Sequence, residues 1–255
     1  MKKRGQITIF IIIAIVVVAI IGTLVYVNTS QAGLSKRFFG SAEIKPTIDV
    51  IQSSILDCAD TVTEDSLVVI GIQGGYYEEP REYFDLEWTF IPYYYLEGEF
   101  LMPKITTIEN ELSKAVDENF ASCLDQFSFP GFNLDYARST TDTTIKEKEV
   151  VFEIDIPINI EKDDNIITFE LKDHPVTQPS YLFGILEVAN YITESHREDP
   201  ELICINCVAD MARERDLFVD MIDFEETETL IVISENKTAS APYIFEFLNK
   251  YPADQ

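Results

Sequence analysis

Four cysteines, Cys58, Cys123, Cys204 and Cys207, are the residues best suited to chemistry in this chain. Cys204-Ile205-Asn206-Cys207 is a C-x-x-C pair, and on a helix its two sulfurs share a face. Such a pair reads in three ways: a local structural disulfide or buried thiols, a redox couple, or half of a metal site. Redox use calls for a helix N-terminus that stabilises a thiolate. Asp199-Pro200-Glu201 reads as the cap of a helix over 200–213, which places Cys204 more than a turn inside, and no clear βαβ unit precedes it. The structural reading therefore leads, and Cys204/Cys207 as a redox pair is the alternative. Cys58 and Cys123 each fall on the apolar face of a long predicted helix. Pairing them would close a loop of about 65 residues, worth roughly 3–4 kcal/mol in the chain-entropy model if the helices come within bridging distance. A four-thiolate zinc site would need all four cysteines to converge, which isolated single cysteines signal only weakly. Neither a metal nor a cofactor is expected.

Other chemistry has thinner support. His174 and His196 have no nucleophile at a motif-like spacing, and no G-x-S-x-G, P-loop or G-x-G-x-x-G occurs. Glu161 to Asn165, "EKDDN", reads as a hairpin turn and lacks the spacing of a calcium loop. Tyr76, Tyr77, Trp88, Phe90, Tyr93, Tyr94 and Tyr95 crowd together with Glu78, Glu79, Glu87 and Glu97. They form either an aromatic contact face for sugars or cationic groups, or the aromatic cover of a sheet. Three consecutive tyrosines alternate in direction, so one at least is expected outside. Asn236 opens the better of two glycosylation sequons, the other starting at Asn28.

These residues need elements to hold them. Ile48, Ile51, Ile55, Cys58, Ala59 and Val62 recur at helical spacing, and the helix from Pro46 is expected to stop at Gly74-Gly75. Glu87–Leu96 reads as a strand. Thr106 to Glu109 has the pattern of a capping box before a second helix that carries Ile108, Leu112, Ala115, Val116, Phe120 and Cys123. Val150, Phe152, Ile154, Ile156 and Ile158 alternate with mostly polar residues in a strand that turns at 162–164 and returns over 165–171. Pro157 suggests an edge or a bulge there. Helices over 181–195 and 200–213, then strands over 217–222, 229–234 and 243–247, complete an α+β order. Each half reads as two helices on antiparallel sheet, a pseudo-repeat divided near 176.

The first 40 residues differ in kind. Ile7 to Val27 carries no charge, and 21 helical residues span roughly 32 Å, enough for a bilayer core. Lys2, Lys3 and Arg4 place the amino end in the cytoplasm. The run reads as a signal anchor, as a leader cut after Ser30-Gln31-Ala32, or as a segment processed between Gly5 and Gln6. The last comes from Arg4-Gly5-Gln6-Ile7-Thr8-Ile9-Phe10, which resembles the class III signal peptide of archaeal type IV pilin-like proteins, although Phe10 stands where that family carries glutamate. The resemblance implies a prepilin peptidase and an apolar helix packed in a filament core. More broadly, "RGQITIF", "GIQGGYY", "IPYYYLEGE", "FPGF" and "CINC" together are similar to a recurring single-span membrane protein of archaea, which implies an anchor and no particular activity.

Five cations and no acids lie in residues 1–40, so of 19 Lys and Arg only 14 face the 45 Asp and Glu beyond, a net of −31. That charge repels nucleic acid and anionic headgroups. The expected protein has a cytoplasmic tip and membrane helix (1–27), a tether (28–43) and α+β halves over 44–176 and 177–255 outside the membrane. Its expected role is non-catalytic binding or structure in the cell envelope, with an envelope protein or glycan as partner. The alternative is an extracytoplasmic thiol-disulfide oxidoreductase.

Overall fold

The computed structural model describes residues 47–198, 203–225, 227–235 and 242–252, apart from the side chains of His196 and Glu225. The expected membrane helix over 7–27, the expected tether over 28–43, Gly5, Gln6, Asp199–Glu201 and Asn236 lie outside these residues. Among the described residues no helix is long and apolar enough to cross a membrane.

Helix α1 (Ile48–Ile72) forms on the expected spacing and buries Ile51, Ile55, Cys58, Ala59, Val62 and Ile70. It stops at Gly74 (φ +52°) and Gly75 (φ +88°), conformations that favour glycine. The Gly75 N–H donates to Ile70 O at 2.7 Å and closes the last turn. Short β1 (Tyr83–Asp85), β2 (Phe90–Leu96) and β3 (Glu99–Phe100) follow. The expected strand from Glu87 starts three residues later, because Glu87 adopts φ +69° in a turn closed by Leu86 N–H to Thr89 O.

Helix α2 (Ile105–Leu124) begins one residue before the expected box, with Lys104 as cap and no side-chain capping bond. Glu109 is engaged elsewhere: its Oε1 accepts from the Ile145 N–H at 2.9 Å. Four and eight residues on, Ser113 bonds Thr143 Oγ1, and Asp117 accepts from Ser139 Oγ, Thr141 Oγ1 and Thr141 N–H. One polar stripe of α2 thus lies along a strand that, among the described residues, has only one sheet neighbour, covering the other edge.

That strand, β5 (Thr140–Ile145), belongs to a bent meander. Its arms are β4 (Asn133–Tyr136) with β5, β6 (Glu149–Asp155) with β7 (Pro157–Lys162), and β8 (Asn165–Glu170) with β9 (Val176–Pro179). The arms pair as two three-stranded sheets, β5-β6-β9 and β4-β7-β8. The single expected strand over 150–159 is therefore two strands. Pro157 marks the bend and begins β7, the central strand of its sheet, where a first residue needs no ladder N–H. The hairpin at Asp163-Asp164 forms as expected, with Lys162 opposite Asn165 and Asp163 at φ +52°. A 3-10 turn (Leu171–Asp173) makes the corner between β8 and β9.

Helices α3 (Leu182–Glu198) and α4 (Ile205–Glu214) precede β10 (Leu217–Glu225), β11 (Glu228–Glu235) and β12 (Ile244–Lys250). The last three strands join the early ones in the order β1-β2-β12-β11-β10. β12 runs antiparallel to β11 and parallel to β2. The expected division at 176 therefore does not separate two modules: strands from both sides share one sheet, and Pro46–Gln255 is a single compact unit. Helix α1 packs against α2, β9 and β12. The amide of Gln178 on β9 donates to Asp60 O, Asp60 Oδ1 and Thr63 Oγ1 on α1, which satisfies a buried polar contact between helix and meander. The core runs from α1 and α2 through Phe152, Ile154 and Ile158 of the meander to Phe245 and Phe247 of the sheet.

Candidate functional site

All four cysteines are bridged, in two separate places. Cys58 on α1 and Cys123 on α2 are bonded with Cα atoms 6.2 Å apart, and Cys58 is only 3% exposed. Cys204 and Cys207 are bonded to each other, Cα atoms 5.2 Å apart. The four sulfurs do not converge, and among the described residues no cluster of His, Cys, Asp or Glu has the arrangement of a metal site.

The local setting of the C-x-x-C differs from expectation in one respect that matters chemically. Helix α4 starts at Ile205, and Cys204 is its N-cap residue rather than an interior one. The Ile205 N–H turns back to Ile203 O at 2.9 Å, a tight contact that a continuous helix does not make. The N–H of Cys207 then donates to Cys204 Sγ at 3.3 Å. Hydrogen bonding of this kind, at the positive end of a helix, stabilises a thiolate. Cys204 is exposed and Cys207 half-buried.

The rest of α4 is amphipathic. Val208 and Ala212 are buried toward β10, whereas Ile205 is 62% exposed. Between α4 and β10 lies a groove of about 510 Å³, walled by Ile205, Val208, Ala209, Leu217, Phe218 and Met221. Phe218 is 57% exposed in it. Sequence reasoning missed the groove. The available signal was that Leu217–Ile222 is apolar on both faces, which reads as a fully covered strand.

The aromatic cluster divides sharply. Tyr94 is fully buried, stacks on Phe247 with centroids 4.3 Å apart and donates its hydroxyl to Gly74 O at 3.0 Å. Burial pushes its phenol well above the usual tyrosine range. Tyr95 is 4% exposed, with its ring 6.3 Å from that of Tyr251. Tyr93 is half-buried and donates to Glu228 Oε2 at 3.2 Å. Burial removes Tyr94 and Tyr95 from the expected contact face and makes them core. Tyr76 and Tyr77 are half-buried against the same core. Trp88 alone projects, 82% exposed, from the turn between β1 and β2. Asp85 Oδ1 accepts the Glu87 N–H at 2.7 Å in the same turn, so the indole stands beside two acids.

A second residue missed in the sequence is Glu111 of α2. Its side chain is almost covered, and Oε2 accepts from the N–H groups of Tyr77 and Glu78, both at 3.0 Å. Lys114 Nζ meets Oε1 at 2.7 Å. Burial pushes this carboxyl up, but the bonds from Lys114 and the two N–H groups outweigh it and hold it below the usual glutamate range. It fastens the "GGYYE" loop to α2. His174 stacks on Phe169 at 5.1 Å. Comparison with known proteins finds no matching family model, no matching curated protein and no matching solved structure.

Proposed function

We propose that this is a membrane-anchored, extracytoplasmic protein of the cell envelope that works by binding. Residues 7–27 hold it in the bilayer with the amino end inside, and the acidic domain meets an envelope protein or glycan outside. The observation that carries the binding reading is Trp88, the only tryptophan in the chain, standing 82% exposed on an acidic turn. An indole in that position offers a flat face to a sugar ring or a cationic group. The two bridged cysteine pairs support an oxidising compartment. Fluorescence of the lone indole tests binding in the full-length protein. A saturable spectral change with a neutral oligosaccharide or a lysine-rich peptide is expected, and it should vanish in Trp88→Ala. No saturable response to either ligand overturns the reading. Protease added to intact cells tests the orientation and should remove the carboxyl-terminal domain.

A second reading keeps the anchor and the compartment but lets the Cys204–Cys207 bridge turn over, as in an extracytoplasmic thiol-disulfide oxidoreductase. It is favoured by the N-cap position of Cys204 and by the Cys207 N–H directed at its sulfur. Redox titration of the free-thiol count decides it. A bridge that stays closed under excess dithiothreitol in the folded protein ends this reading.

A further inference from the structure

Resting on that second reading, we infer that the groove between α4 and β10 docks an extended, apolar, cationic segment of a polypeptide bearing two cysteine thiols, and that Cys204 is the sulfur it attacks. Three features meet here. The exposed Cys204 begins the helix whose next residue, Ile205, forms the apolar lip of the groove. The other wall is β10, which among the described residues pairs only with β11 and so leaves one row of backbone N–H and C=O groups open. Groove residues come from both faces of β10, Leu217 and Met221 from one and Phe218 from the other, so the groove follows that open edge. An open edge beside an apolar wall accepts an extended chain as an added strand.

Charge selects the kind of chain. Asp216 lies at the groove, and Asp220 and Asp223 are exposed along the same strand. Arg213, the cation lining the groove, is paired with Asp210 at 2.7 Å. A segment that presents apolar, basic and apolar side chains in turn at every second position would meet Phe218, Asp220 and Ile222, which share one face of β10. An acidic segment, including a second copy of this strongly acidic chain, would be repelled.

The exchange balances as follows. A substrate thiolate attacks Cys204 Sγ. The Cys204–Cys207 bond breaks, and Cys207 leaves as a thiolate that takes up the proton the substrate thiol released. The second substrate thiol, deprotonated by solvent, attacks the substrate sulfur of the mixed disulfide and expels the Cys204 thiolate. Expulsion from Cys204 is eased by the Cys207 N–H and the helix N-terminus. The substrate is oxidised by two electrons and the C-x-x-C reduced by two. A low-molecular-weight disulfide restores the bridge by the same exchange, and is itself reduced to two thiols.

The test uses full-length protein in detergent, oxidised glutathione and two dithiol peptides, one apolar-basic and one apolar-acidic. The protein should accelerate disulfide formation in the basic peptide and prefer it over the acidic one. A single-thiol version of the basic peptide, which cannot resolve the mixed disulfide, should accumulate one with Cys207→Ala and none with Cys204→Ala; the reverse pattern overturns the role given to Cys204. Ile205→Ser and Phe218→Ser, both at exposed positions, should lower the peptide rate about tenfold relative to each variant's own exchange rate with glutathione alone. If the bridge exchanges with glutathione but these variants and the peptide's charge make no difference, the docking groove is wrong and the redox reading survives. If the bridge does not exchange at all, the redox reading itself fails.

Discussion

Glu111 Oε2 and the backbone N–H of Tyr77, 34 residues apart, are joined by a 3.0 Å hydrogen bond that ties α2 to the loop ending α1. The carboxylate form makes this bond, and the folded protein holds the group below its ordinary value of 4.5. A depressed folded pKa contributes stability that is present above the ordinary glutamate range and lost as pH falls through the lowered value. Urea midpoints measured from about pH 6 down to pH 3 should therefore decline along an acid limb. Glu111→Gln should cost about 1–3 kcal/mol near neutrality and flatten that limb. An unchanged pH profile in the variant would assign the acid sensitivity to other carboxylates.

The two bridges should differ in what they contribute to stability. Cys58–Cys123 closes 65 residues and Cys204–Cys207 only three. Loop-closure entropy gives about 4 kcal/mol for the first and about 2 kcal/mol for the second. Equilibrium denaturation of the two double-alanine variants checks the order. A larger loss from Cys204→Ala/Cys207→Ala would mean that the exposed bridge holds more of the fold than its loop suggests.

Asp117 gathers three donors from Ser139 and Thr141, both nearly buried. Asp117→Ala leaves them without that acceptor and should destabilise by about 1–3 kcal/mol. Hydrogen exchange should show the loss first at β5, the strand whose edge α2 covers. Uniform loss of protection over the whole domain would argue against this local role.

Gly74 meets two demands at once. Its φ of +52° disfavours any side chain, and a Cβ there would run into the Glu246 carbonyl oxygen and the ring of Pro92. Gly74→Ala should cost at least about 2 kcal/mol. Tyr94→Phe, which removes only the hydroxyl bonded to Gly74 O, should cost about 1 kcal/mol. Thermal denaturation of both variants tests the ranking.

Much of the fold was legible because local patterns and tertiary needs agreed. The apolar spacing from Ile51 to Val62 gives α1, the glycine pair ends it, and Asp163-Asp164 makes a hairpin. Misreadings arose where a residue serves a distant partner. Glu109 looks like a capping residue but reaches across to the Ile145 N–H. Cys204 looks like an interior helix residue, yet the described helix begins at Ile205 with that sulfur as its cap. Pro157 marks a corner between two sheets, which no period-two pattern can show. The candidate site was half visible: the C-x-x-C stands out in the sequence, but the groove depends on β10 lying at an edge, and strand order is set by pairings across the whole chain.

The parallel pairing of β2 with β12 has a consequence for how the molecule is made. Tyr93 neighbours Leu248, so a strand synthesised early waits for one synthesised more than 150 residues later. Until that late segment arrives, β2 has only the short β1 and β3 beside it, and Tyr94 lacks the Phe247 ring it stacks on. Nascent chains shorter than the full domain should therefore be sticky and protease-sensitive, and maturation should come as one late, slow event rather than by halves.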